Sequence, residues 1–383
     1  MPCHAPAPTS ALTTPSFSSF HEAYQAVLGD LVTRPHHHIN TRGNAGPERL
    51  NVAFQIDNLA RRLPLFATRK TNVVFNLAEA LWFLGGRDDL RMMIYYAPRM
   101  SAYASDGVTI AGAAYGTRLF RPGSGPGSSS AFDATLRMIA QDPDTKRAVI
   151  PIFGSHEIGD TTHPDVSCTI AFQLLLRDGA LHGVCYMRAN DAFHGLVSDV
   201  YSFTFIQELA ARLLRVRLGG YAHVVGSMHI ADHHLPRARA ILDEAATTPP
   251  PRFEPQSMPA DTTLEIIGEV LDHEQRLRDN LLAHTATSLE RTGLPLYWQR
   301  LVALLEIYRQ IKHRPGTAVD PEILGVLDPE HRWLIRRRWP DHMPADSARE
   351  IQEPTCPPAQ TRARTGPGAA WCCSNPTACD AAS

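Results

Sequence analysis

The sequence predicts an α+β fold, and three observations carry that reading. Two β-type apolar runs, residues 169–177 and 180–187, are joined by Asp178-Gly179. A two-residue link of this kind favours a hairpin, because both positions tolerate positive φ. Residues 149–153 and 224–230 have the apolar, β-branched character of buried strands. Residues 201–218 form an apolar stretch too long for a strand and read as a core helix, ended by Gly219-Gly220. Helices and strands mix here without regular βαβ alternation, which argues against the doubly wound parallel classes.

Composition bounds the rest. The chain has 383 residues, 44% hydrophobic and 20% charged, enough for one large globular unit with a sizeable core. Lys plus Arg total 37 against 39 Asp plus Glu, a formal charge of -2. That balance excludes a bulk nucleic-acid coat but leaves room for one nucleotide in a local basic pocket. No apolar run approaches the ~18–20 residues of a membrane span, and no charged n-region precedes an apolar h-region. A cytoplasmic protein with no membrane partner is the expectation.

Taken in order, residues 1–17 are rich in Pro, Ser and Thr and read as a flexible arm. His36-His37-His38 reads as a turn or phosphate-adjacent loop, since three adjacent imidazoles cannot all face one ion. Residues 77–84, followed by Gly85-Gly86, form a helix with a glycine stop. Amphipathic helices are expected over 263–284 and 296–312. The catalytic domain then spans residues 18–343, with a helical C-terminal part from about 263. The proline-broken tail, 344–383, reads as disordered. It holds Cys356, Cys372, Cys373 and Cys379 in no familiar zinc spacing, so no metal is expected.

The hairpin bears on chemistry. With a two-residue loop its register sets Cys168 opposite Ala189, next to Arg188. A nearby cation lowers a thiol's pKa and raises the fraction of thiolate, the nucleophilic form. Alone, Cys168 would read as a small buried hydrophobe and Arg188 as a surface charge. The joint spacing of Cys168, Arg188, Asn190, Asp191, Gly195, Asp199 and His229 changes that weighting.

Several ordered segments resemble the thymidylate synthase family. They are Asp165-Val166-Ser167-Cys168, Arg188-Ala189-Asn190-Asp191 running on to Gly195 and Asp199, and Met228-His229-Ile230-Ala231. Upstream, Glu79-Ala80-Leu81-Trp82, Ala114-Tyr115-Gly116 and Lys146-Arg147 fall in the same order. The resemblance implies a three-layer α+β fold with a central mixed sheet. It also implies a homodimer, a pyrimidine nucleotide substrate and 5,10-methylenetetrahydrofolate as co-substrate. By the same resemblance Cys168 is the nucleophile adding to C6, and Glu79 organises water and proton transfer. Arg188 and Arg42 are phosphate ligands, and Lys146 and Arg147 reach the other subunit's phosphate site. Asp191 and Tyr115 lie near folate or pyrimidine, and His229 holds a sugar hydroxyl.

Three departures refine the expected substrate. Asp199 stands where the family carries an asparagine that reads uracil; a carboxyl group accepts from the exocyclic amine of cytosine and can share a proton with N3. This resembles the cytidylate hydroxymethylases, in which water attacks the C5 methylene in place of hydride reduction. Ala189 replaces a phosphate-binding serine, Lys146 an arginine and Ala231 a tyrosine beside the sugar, which makes room for a ribose. The combination resembles the CMP hydroxymethylases of mildiomycin-type antibiotic pathways. CMP 5-hydroxymethylation is therefore expected, with dCMP hydroxymethylation, and then C5 methylation of dUMP or UMP, as the enzymatic alternatives. A degenerate scaffold that only senses a nucleotide is the non-enzymatic one.

Overall fold

The computed structural model describes residues 13–41, 43–123, 127–159 and 165–345. Strand β1 (Ser16–Phe17) leads to helix α1 (Phe20–Thr33), and β2 (His37–Thr41) to β3 (Asn44–Ile56). Then come α2 (Val73–Leu84), α3 (Leu90–Tyr96), α4 (Tyr115–Phe120), α5 (Ala131–Gln141) and β4 (Val149–Pro151). The hairpin β5 (Thr169–Arg177) and β6 (Ala180–Asp191) precedes α6 (Gly195–Leu213), β7 (Arg217–His229) and α7 (Leu235–Thr247). Five helices finish the described chain: α8 (Leu264–Arg278), α9 (Ala286–Glu290), α10 (Leu296–His313), α11 (Pro321–Val326) and α12 (Pro329–Arg338).

The seven strands form one mixed sheet, ordered β1-β3-β7-β6-β5-β4 with β2 also on β3. The β6–β7 and β1–β3 pairs are parallel, and the others antiparallel. Along β6, Leu181, Gly183, Cys185 and Met187 are buried while the residues between them are half-exposed, the period-two signature of a sheet with one covered face. α6 packs on β6 and β7, and α2 packs on α6. Both helices are buried on nearly every side, and α6 carries polar residues such as Asp199 and Gln207 into the interior.

The expected hairpin forms with Asp178 at φ 49° and Gly179 at φ 70°. Its register holds from Arg177 opposite Ala180 to Ala171 opposite Tyr186, and then a bulge at 169–171 shifts it. Cys168 thereby comes level with Arg188, not Ala189, and its carbonyl accepts from the Arg188 N–H at 2.8 Å. Other boundaries differ from the sequence reading. The core helix stops at Leu213, and Gly219-Gly220 belong to β7. A side chain at Gly219 would strike the His182 ring at 2.9 Å, so the glycine serves strand packing and not a helix stop. The histidine run lies partly in β2, with His38 Nε2 3.0 Å from Asp232. The arm expected through residue 17 joins the sheet by residue 16, where Ser16 pairs with Gln55. The helix expected over 263–284 ends at Arg278. The tail cysteines lie outside the described residues.

The last helices anchor onto the front of the molecule. Glu274 of α8 takes hydrogen bonds from Arg278 at 2.8 Å and from the Tyr96 hydroxyl of α3 at 2.9 Å. Tyr308 of α10 donates to the Tyr95 carbonyl at 3.0 Å and stacks on the Tyr96 ring. α3 runs directly into a 3₁₀ turn, Pro98–Tyr103, so the added helices brace that turn.

Candidate active site

Cys168 sits half-buried at the mouth of β5. The backbone leading to it is tied down on both sides. Ser167 donates from its N–H to Glu157 at 2.7 Å, and Asp165 accepts from the Gly112 and Ala113 N–H groups at 2.7 and 2.9 Å. Arg188 donates through Nε to the Ser167 carbonyl at 2.8 Å and through Nη2 to the Val166 carbonyl at 3.0 Å. The arginine thus braces the nucleophile's backbone. It is exposed and has no carboxylate partner among the described residues, which leaves its charge available to an anion.

Two carboxyl groups and a phenol close the site. Glu79 of α2 accepts from Ser202 of α6 at 3.2 Å, and burial lifts its pKa to about 7. Asp199, near the start of α6, is 8% exposed. Burial, and then the charge of Glu79, hold its carboxyl well above the usual range, against the pull of a hydrogen bond to Asn190. Tyr115 is raised by burial first, then by Asp199, Cys168 and Glu79, so its hydroxyl lies near all three groups. Helix packing makes this arrangement. Tyr115 lies 5.3 Å from the Phe83 ring of α2 and 6.0 Å from Phe203 of α6. Gly116 explains the Tyr-Gly pair: a Cβ there would stand 2.3 Å from the Phe83 carbonyl oxygen. Each of these buried carboxyl groups is pushed toward its neutral form by burial, and Asp199 further by the charge of Glu79.

Asp191 shapes the next turn. Its Oδ1 accepts from Phe193 and His194 N–H at 2.8 and 2.6 Å, which directs the chain into α6. His229 lies opposite Asp191 on β7, and its Nδ1 is buried with no hydrogen-bond partner among the described residues. An orphaned ring nitrogen of this kind suits a ligand hydroxyl. Ala189 is half-buried opposite Ser227, and Ala231 is buried.

Lys146 and Arg147 do not join this group within one protomer. Both are exposed beside the middle of β5, where the Lys146 carbonyl accepts from Gln173. At about 3.4 Å per strand residue, that is roughly 17 Å from Cys168. Arg42 lies outside the described residues.

The sequence reading missed a basic rim. Arg69 and Arg237 lie 5.2 and 4.9 Å over the Phe193 ring, and Arg99 lies 5.1 Å over Phe75. The charge of Arg99 is felt by Glu79, Tyr103 and His194. Arg338 at the end of α12 is held below its ordinary value by partial burial, then by Arg237, Arg69 and Arg99. None of the four pairs with a carboxylate among the described residues. Four separate segments supply them, so no spacing in the chain announces the cluster. His223, buried behind Asp199, was also missed, because it reads as an ordinary strand residue; Asn190 was singled out by spacing alone and not for its contact with His223.

The thymidylate synthase family profile matches residues 22–267. The chain belongs to the thymidylate synthase family. The match covers every element that carries Glu79, Tyr115, Cys168, Arg188, Asp191, Asp199 and His229, and it ends inside α8. The chain is also 30% identical over 198 residues to the deoxyuridylate hydroxymethyltransferase of Bacillus phage SP01, covering 49% of this chain and 51% of that protein. It is 29% identical over 190 residues to the protein of the same name from Pseudomonas phage M6, covering 49% and 52%. The chain thus spans about half the length of these curated relatives. Arg338 stands outside the part matched to the family.

Proposed function

We propose that this protein hydroxymethylates C5 of CMP, giving 5-hydroxymethyl-CMP with 5,10-methylenetetrahydrofolate as co-substrate. The observation that carries the reading is the buried Asp199 carboxyl facing Glu79 and Tyr115 in the Cys168 site. No cation contributes to its surroundings, so it is well suited to a donor group on the base edge, as cytosine's amine is. Ala189 and Ala231 leave space where a ribose needs it.

Cys168 forms a bond to C6 of the ring, and C5 becomes nucleophilic as the 5,6-double bond shifts. When bound, methylenetetrahydrofolate supplies the electrophilic one-carbon unit. Glu79, with its pKa about 7, both holds and releases a proton near neutrality and orients the water that becomes the hydroxyl. Arg188 receives the phosphate, and His229 Nδ1 a sugar hydroxyl. The residues present fit the co-substrate: the four unpaired arginines suit the carboxylates of its glutamate tail, and the exposed Tyr103 ring offers a flat face. The working unit is a homodimer in which Lys146 and Arg147 complete the phosphate site across the interface. The half-exposed sheet face bearing Val184, Tyr186, Ala222 and Val224 supports that pairing.

A second reading, hydroxymethylation of a uracil nucleotide, is favoured by the names of the two phage relatives. A neutral carboxyl also offers one donor and one acceptor, as an amide does. Tritium release from C5-labelled CMP, dCMP, UMP and dUMP, with the co-substrate present or omitted and product mass recorded, separates the readings. Co-substrate-dependent release fastest from CMP, with a hydroxymethyl mass gain, is the expected result. Faster release from a uracil nucleotide overturns the base assignment, and faster release from dCMP overturns the sugar.

A further inference from the structure

Behind Asp199 runs a chain of buried polar groups for which the chemistry above has no use. Asn190 Nδ2 lies 3.0 Å from His223 Nε2, and His223 Nδ1 lies 2.8 Å from the Tyr221 hydroxyl. Tyr221 hydrogen-bonds in turn to the Cys185 thiol. Cys185, Tyr221 and His223 are 0% exposed and Asn190 3%. Burial pushes the His223 pKa down to about 3, so the ring is neutral and carries one N–H.

The chain has a direction. An amide nitrogen only donates, so His223 Nε2 accepts from Asn190 and the ring hydrogen sits on Nδ1. That hydrogen goes to the Tyr221 oxygen, and the Tyr221 hydrogen goes to the Cys185 sulfur. Asn190 must therefore turn its carbonyl oxygen away from His223, where no donor among the described residues reaches it. A Cβ at Gly195 would lie 2.8 Å from that oxygen and 3.3 Å from Asp199 Oδ2, so both oxygens crowd one glycine. With its oxygen turned that way, Asn190 meets Asp199 as a donor, and that hydrogen bond pulls the Asp199 carboxyl down against burial. The groups facing Asp199 are Glu79 from α2, Tyr115 from α4, Cys185 and Asn190 from β6, and Tyr221 from β7. None is a cation, so Asn190 is the donor that orients the carboxyl.

We infer that His223, acting through Asn190, is a positioning residue that turns Asp199 into a one-sided hydrogen-bond acceptor toward the base. One Asp199 oxygen accepts from the Asn190 amide, which leaves the other to accept from the base. Cytosine's exocyclic amine donates to such an oxygen, whereas uracil's O4 in the same place is an acceptor and is repelled. Base discrimination is then set two residues behind the one that touches the base. This rests on the reading above that Asp199 faces the base.

His223→Phe keeps the bulk of the ring, removes both nitrogens and frees the Asn190 amide to turn. The measurement is kcat/KM and calorimetric binding for CMP and UMP on wild type, His223→Phe and His223→Gln. The CMP-to-UMP ratio is expected to fall by about ten- to hundredfold in His223→Phe. His223→Gln, which still offers Asn190 an acceptor, restores most of it. An unchanged ratio in folded His223→Phe, whatever the loss of rate or stability, overturns the inference. Should that variant not fold, Tyr221→Phe removes the acceptor of the Nδ1 hydrogen and is read in the same way. An unmoved ratio there has the same meaning. The wild-type ratio judges the base assignment by itself and the change on substitution judges the chain, so the two fail separately.

Discussion

The Glu79 and Asp199 side chains share a dry space beside a nucleophile, and their proton inventory governs both rate and stability. Glu79 has an ordinary value of 4.5 and a folded one of about 7. A raised carboxyl favours its protonated form in the fold, so the unfolded chain loses this proton first as pH rises. The contribution of Glu79 to stability is therefore full below about 4.5 and declines as pH climbs to about 7. Thermal melts across that window should show the decline, and Glu79→Gln should flatten it. The same substitution should lower kcat by about 10²–10⁴-fold. Cys168→Ser should abolish tritium release, because a hydroxyl has no comparable anionic form near neutral pH, while leaving the melt nearly unchanged at this half-buried position. Asp199→Asn should move preference toward uracil nucleotides, read as the ratio of kcat/KM between CMP and UMP.

Elements deliver these side chains, and close backbone approaches are where a small change matters most. Gly116→Ala would force α4 off α2, since its Cβ would meet the Phe83 carbonyl at 2.3 Å. A cost of about 1–3 kcal/mol in a denaturant melt is expected, with a loss of turnover as Tyr115 shifts. What could be read from sequence follows the same division. Asp178-Gly179 specified the hairpin because a two-residue turn needs those conformations, and the segments around Cys168 and Asp191 are local strings. The bulge at 169–171 was not legible: one extra strand residue leaves no local mark, yet it decides that Cys168 meets Arg188. Gly219-Gly220 misled because a helix stop and a crowded strand call for the same residue. The arginine rim and the Asn190–His223 chain were hidden for a third reason. Each is assembled by folding from residues that are unremarkable alone.

At the scale of the whole molecule, the proposed dimer implies a site that a single protomer does not complete. Lys146 and Arg147 lie exposed, with no ion pair among the described residues, too far along β5 to help Cys168 of their own chain. Mixing inactive Cys168→Ser with inactive Arg147→Ala protein should therefore restore about a quarter of wild-type activity through hybrid dimers. No recovery after confirmed subunit exchange would argue that each protomer works alone. The helices beyond the family match contribute too, bracing the turn that carries Arg99 and supplying Arg338. That concentration of unneutralised guanidinium groups has a kinetic meaning. It is a standing field at the entrance, one that pulls polyanions in from beyond contact distance and fades as the Debye length shrinks from about 10 Å at 0.1 M salt to about 3 Å at 1 M. Capture should slow with added salt while the chemical step, shielded inside, keeps its pace.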